Sequence, residues 1–198
     1  MKRHTLLILA LFLFAHIRAQ VEIIKDVQSD TQRDIITSSI PILEFKKSGS
    51  VPIFMQYVQT YGNNPRHLWL LGFEITTLTR DEMQAGMKLL IKCSDGTIIE
   101  SRLAYDVPEE AFISKPLMGT VFYHISPLYI LTEDELNHIA SHNIVKIRIE
   151  APWNKWGHFD LPGEDVKPWK PSEAITSLFI ALKTRLRAVP DNSIYNDF

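Results

Sequence analysis

The chain has 198 residues, 45% hydrophobic and 22% charged, with 21 Lys and Arg against 23 Asp and Glu. That balance belongs to a folding chain rather than a disordered one, and the slight acidity without a basic block excludes the electrostatic footprint of a nucleic-acid binder. The single cysteine, Cys93, excludes an intramolecular disulfide.

Lys2, Arg3 and His4 precede an unbroken apolar run from Leu6 to Ala15, and a small residue follows at Ala19. The run is far shorter than the roughly 20 residues of a spanning helix. This pattern predicts a secretory signal peptide over residues 1–19, cut before Gln20; an uncleaved anchor or a buried N-terminal helix is the alternative. Removing Lys2, Arg3 and Arg18, with no acidic residue, takes the formal net charge from −2 to −5. No cysteine follows the cut, so no lipid attachment is expected there. Residues 20–198 lack a second long apolar run and read as one globular domain without a transmembrane segment, periplasmic or secreted.

Residues 20–40 are polar and weakly patterned, which predicts an N-terminal arm leading to a short strand near Ile40–Phe45. "VPIFMQYVQTY" reads as a strand and "YGNNPR" as a turn. "HLWLLGFEITTL" sets Trp69, Leu71, Phe73 and Ile75 on one strand face. "GMKLLIKC" and "TIIESRLA" flank Asp95-Gly96, a strong hairpin sequence. Cys93 alternates with Met87, Leu89 and Ile91, hence faces inward as an inert structural thiol. "DVPEEA" at 106–111 predicts a loop or a single helical turn, and "GTVFYHIS" a strand.

Thr132 and Glu135 form a capping-box pattern at the head of "TEDELNHIASH", a short helix near 132–142. "IVKIRIE" alternates as a half-solvated strand. Ile175, Leu178, Phe179, Leu182 and Leu186 make one helical stripe, with Ser172 placed to cap its start and Pro190 to end it. A sheet face needs such a cover, so the helix is expected to dock on the domain rather than on a membrane. The whole predicts an α+β fold, mostly an antiparallel β-sheet with the short helix and the C-terminal amphipathic helix packed on it. A β-sandwich with helical decoration is the alternative.

Residues 151–171, "APWNKWGHFDLPGEDVKPWKP", hold Trp153, Trp156 and Trp169 together with His158 and Asp160. As a site, the tryptophans would stack on sugar rings while His158 and Asp160 bond hydroxyls. As architecture, the prolines stiffen a strap and the tryptophans anchor it; the strap is the favoured reading. His138 and His142 stand one helical turn apart, but a zinc protease would carry its glutamate where Ile139 is, and two imidazoles need further ligands to hold zinc. They are expected to be solvated surface histidines, and no metal or cofactor is expected. No nucleophile elbow, Gly-rich phosphate loop or EF-hand loop occurs.

Three stretches carry a resemblance: the leader ending "RAQ", the hairpin "GMKLLIKCSDGTIIE", and "ISPLYILTEDELNHIASHNIVKIRIE". Over roughly residues 66–150 the chain resembles a loose group of secreted proteins from gut-dwelling Gram-negative bacteria. The resemblance implies export and the hairpin. The group has no assigned activity, so no functional residue is carried over. The expectation is a non-catalytic periplasmic or secreted binding module whose partner is a glycan or an envelope protein. The alternatives are a glycan-directed hydrolase or other envelope enzyme, with His158 and Asp160 its nameable polar groups, and a structural subunit docking a partner by a sheet edge.

Overall fold

The computed structural model describes residues 21–45, 49–77, 82–107, 110–112, 122–151, 157–162 and 169–188. The expected signal peptide lies outside them, as do Trp153 and Trp156. In chain order the strands are β1 (Ile23–Gln28), β2 (Gln32–Thr37), β3 (Ile40–Phe45), β4 (Gly49–Thr60), β5 (Arg66–Phe73), β6 (Ile75–Thr77), β7 (Lys88–Cys93) and β8 (Ile98–Arg102). Then follow β9 (Glu110–Phe112), β10 (Phe122–Ile125), β11 (Leu128–Leu131), helix α1 (Glu133–Ser141), β12 (Ile144–Glu150), β13 (His158–Leu161) and helix α2 (Pro171–Ala188).

Every strand pair is antiparallel. The largest sheet runs β1-β2-β4-β5-β11, with β3 sharing the β2 side of β4; a second runs β13-β12-β7-β8, and a small one β6-β10-β9. The first two meet where β8 ends. Leu103 bridges Tyr129, the Ala104 amide donates to Leu128 O at 2.8 Å, and Ser101 Oγ donates to Ile130 O at 2.6 Å. Alternate residues Ile53, Met55 and Tyr57 of β4, Trp69, Leu71 and Phe73 of β5, and Leu89, Ile91 and Cys93 of β7 are buried in one core with both helices. Helix α2 crosses β1 to β4 and touches α1. Its Ile175, Leu178, Phe179 and Leu182 are buried, and Phe179 meets Trp69 edge-on at 5.1 Å. Each such side chain contributes about 1.5–3 kcal/mol by leaving water. The fold is thus α+β, mostly antiparallel, with the C-terminal helix covering a sheet face. No described helix is long and apolar enough to cross a membrane.

Four local differences from the sequence reading have physical causes. The expected N-terminal arm contains the β1–β2 hairpin. Apolar Ile24 and Val27 are exposed beside Lys25 and Gln28, while charged Asp26 and Arg33 turn inward and pair, so alternation reads weakly. The expected run from Trp69 to Ile75 breaks after Phe73, and Ile75 pairs with Ile125 in the small sheet. The loop expected at 106–111 ends in β9, which starts at Glu110. Finally, Ser172 is not the cap of α2: Pro171 already opens the helix, and Ser172 Oγ accepts the Ile144 amide at 2.6 Å.

Candidate functional site

His158 and Asp160 stand two apart on β13, so they share one strand face, opposite Glu150 and Arg148 of β12. Arg148 grips both Asp160 oxygens, Nε to Oδ1 at 2.7 Å and Nη2 to Oδ2 at 3.0 Å, and Lys146 Nζ adds a contact at 2.6 Å. The Arg148 hydrogen bonds, helped by Lys146, hold this carboxyl far below its ordinary range despite partial burial. Asp160 is therefore engaged by cations across the ladder rather than by His158. Trp169 packs against the core and donates its indole N–H to Ile144 O at 3.2 Å. The described structure brings together Asp160 and Arg148, and Trp169 and β12. Among the described residues no hydrogen bond or ion pair joins Trp169 to His158 or Asp160.

A cleft of about 650 Å³ opens elsewhere, between the end of α1, the β7–β8 turn, the start of β3 and the first turns of α2. Its walls include Ser94, His142, Asn143, Lys170, Glu173 and Thr176, with Ile40, Pro41 and Ala174 supplying apolar surface. Backbone ties frame it: the Ser94 amide donates to Asn143 O at 2.8 Å, and the Lys170 amide to Ile42 O at 3.3 Å. Together with the Ser172–Ile144 bond, these pin four elements around one opening. Lys170 and Glu173 form an exposed ion pair at 3.1 Å on its rim.

At the same end of the molecule the β7–β12 register sets Cys93 opposite Ile144, directly after α1. This carries the β7–β8 turn onto the helix face that holds His138 and His142. Their rings stack at 4.2 Å and 19°, and Asp95 Oδ2 lies 3.2 Å from His138 Nε2 and 3.8 Å from His142 Nε2. Both side chains are about one-third exposed, 30% and 35%, so they are not the freely solvated pair expected: the hairpin turn covers them. Asp95 is itself oriented by Thr97, whose amide donates to Oδ1 at 3.0 Å and hydroxyl to Oδ2 at 2.8 Å. These bonds hold the carboxyl below its ordinary range. Gly96, at φ +92°, lets the chain turn this tightly. Cys93 Sγ, an Asp95 oxygen and a His138 ring nitrogen all lie within 4.8 Å of one another, so these are the groups among the described residues able to hold a metal. Burial, then the Asp95 charge, pushes the Cys93 thiol pKa up.

A hydroxyl–imidazole contact also occurs at the end of β10, where Ser126 Oγ is 3.0 Å from His124 Nε2. Activation of a nucleophile needs that contact together with donors for a developing oxyanion. Neither residue borders the cleft.

Comparison of the chain with protein-family models, with curated proteins and with solved structures finds no match. The site residues therefore rest on their geometry. Of those around the cleft and the turn, His138 and His142 are legible in the sequence by their spacing. Asp95 reads only as a turn residue and Cys93 only as core. Nothing local in the sequence ties the hairpin turn to the helix, because the tie is a strand register between β7 and β12.

Proposed function

We propose that this chain is an exported, non-catalytic binding module that takes a small polar ligand, such as a glycan fragment, in the cleft between α1 and α2. The observation that carries the reading is the cleft itself. Its size falls within the roughly 300–1,000 Å³ of small-molecule sites, and its hydroxyl, amide and charged groups outnumber the apolar ones, a wall more polar than most such sites have and suited to a polar ligand. The basic start and short apolar run before Ala19 support export to the periplasm or beyond.

The test is thermal melting of residues 20–198 against glycan fragments and short peptides, with Thr176→Phe as the variant that fills the cleft. Ligand at about 100 times its dissociation constant adds about 2.7 kcal/mol of stability, a rise of several degrees. A rise abolished by Thr176→Phe supports the cleft. A rise that survives this change places the ligand elsewhere and overturns it. The mass of the protein recovered from the envelope reports export separately, the expected N-terminus being Gln20.

A second reading, a subunit docking a partner by a sheet edge, is favoured by one observation. Strand β1, which has no second strand partner among the described residues, exposes Ile24 and Val27, 65% and 54% accessible. It predicts a complex that Val27→Lys disrupts while ligand-induced melting shifts are absent.

A further inference from the structure

We infer that the junction of the β7–β8 turn with α1 is a transition-metal site of the zinc type, with Cys93, Asp95 and His138 as ligands and His142 as the fourth. The inference goes beyond the cleft reading and stands without it. Three features carry it. First, sulfur, carboxylate and imidazole are gathered from two elements: Cys93 Sγ, an Asp95 oxygen and a His138 nitrogen lie within 4.8 Å of one another. A tetrahedral zinc ion with bonds of about 2.0–2.3 Å holds its ligand atoms about 3.3–3.8 Å apart. The Asp95 Oδ2 distances to the two Nε2 atoms, 3.2 and 3.8 Å, already approximate that edge.

Second, the ligand atoms are poised. His142 Nδ1 lies 3.0 Å from His138 O, which accepts its N–H; that tautomer leaves the lone pair on Nε2, 3.8 Å from Asp95 Oδ2. Thr97 orients the Asp95 carboxylate through its amide and hydroxyl. Both are the outer hydrogen bonds that fix metal ligands in place. Third, His138 Nε2 is buried and makes no aligned hydrogen bond among the described residues, although Asp95 is beside it. A buried ring nitrogen without a hydrogen bond is costly, and a metal would satisfy it.

Binding keeps His142 on the His138 carbonyl and requires the His138 ring, which makes no aligned hydrogen bond among the described residues, to turn about its Cβ–Cγ bond so that both lone pairs converge. Cys93 binds as thiolate and releases its proton to solvent. The mixed sulfur and nitrogen set favours zinc, or cobalt in its place, over magnesium and calcium, which take oxygen ligands. Because His142 also lines the cleft, an occupied site would border the ligand-binding space.

The experiment titrates residues 20–198, stripped with chelator, with zinc by calorimetry and with cobalt by absorption. The expected result is one metal per chain, a raised melting temperature with zinc, and a thiolate-to-cobalt charge-transfer band in the near ultraviolet. Cys93→Ser abolishes the band, and Asp95→Asn, His138→Gln and His142→Gln each weaken zinc binding more than tenfold. Because Cys93 is in the core, the Asp95 and His138 variants carry the test if Cys93→Ser fails to fold. Absence of binding overturns the inference. So does binding in which the cobalt complex shows no thiolate band, or zinc affinity unchanged in Asp95→Asn and His138→Gln, since histidines elsewhere would then hold the metal. Loss of metal binding with glycan shifts intact leaves the cleft reading in place, and the converse leaves the metal site.

Discussion

Thr37 shows how one hydroxyl can stand in for a strand. Along one edge of β4, β2 pairs with Gln56–Thr60 and β3 with Gly49–Ile53, which leaves Met55 without a strand partner on that side. Thr37, fully buried, fills the gap: its Oγ1 accepts the Met55 amide at 2.9 Å and donates to Met55 O at 3.3 Å. Thr37→Val keeps the shape and strands both backbone groups, so denaturant melts are expected to show a loss of about 1–3 kcal/mol. Thr37→Ser, which keeps the hydroxyl, should lose clearly less. Tyr129 is the reverse case. Its hydroxyl is buried without a hydrogen-bond partner among the described residues, and burial pushes its pKa up strongly. Tyr129→Phe removes the unpaired group, and the melting temperature should hold or rise. Neither residue is distinguishable from any other strand threonine or tyrosine by local pattern, since only the neighbouring strands define their surroundings.

Elements differ in how much of their cause is local. Helix α1 was readable because its start is a contact between residues three apart. Glu135 N–H donates to Thr132 Oγ1 at 3.2 Å, and Glu135 Oε2 accepts the Thr132 amide at 2.8 Å. Thr132→Ala should lower stability by about 1 kcal/mol by freeing the Glu135 amide, measurable by chemical denaturation. The β7–β8 hairpin was readable for the same reason, its turn being Asp95-Gly96. Strand β11 was not. It has four residues, three of them buried, too short and too uniformly apolar for alternation to show. Its place between β5 and the end of β8 comes from long-range pairing.

At the scale of the whole molecule, Asp26 joins the first hairpin to the last helix. It accepts Arg33 from β2, Nε to Oδ1 at 3.1 Å and Nη2 to Oδ2 at 3.0 Å, and Arg185 of α2 at 2.6 Å. Partial burial alone would raise the Asp26 carboxyl, but the hydrogen bonds and charges of the two arginines outweigh it and hold it below its ordinary value. A carboxyl depressed in this way contributes stability that is complete above its unfolded pKa of about 3.9 and vanishes as pH falls through the lower folded value. The melting temperature should therefore drop as pH falls below about 4, and the drop should be shallower in Asp26→Asn, whose position 26 no longer titrates. At neutral pH Asp26→Ala leaves Arg33, only 6% exposed, without its anion, and should lose about 3–5 kcal/mol. Asp160, held low by Arg148, steepens the same acid limb in both proteins.

The sequence alone determined what depends on near neighbours: the period-two faces of β5, β7 and β12, the Asp95-Gly96 turn, the Thr132 cap, and the α2 stripe that covers a sheet. Those features follow from backbone geometry and apolar spacing within a few residues, so they survive without knowledge of the rest of the chain. Tertiary structure alone decided which strands lie side by side. With that, it decided that Asp160 faces Arg148, that Trp169 bonds β12, and that Cys93 and Asp95 meet His138 and His142. Register is a competition among many distant pairings, resolved by the burial of all the strands together, and no short stretch of sequence contains it.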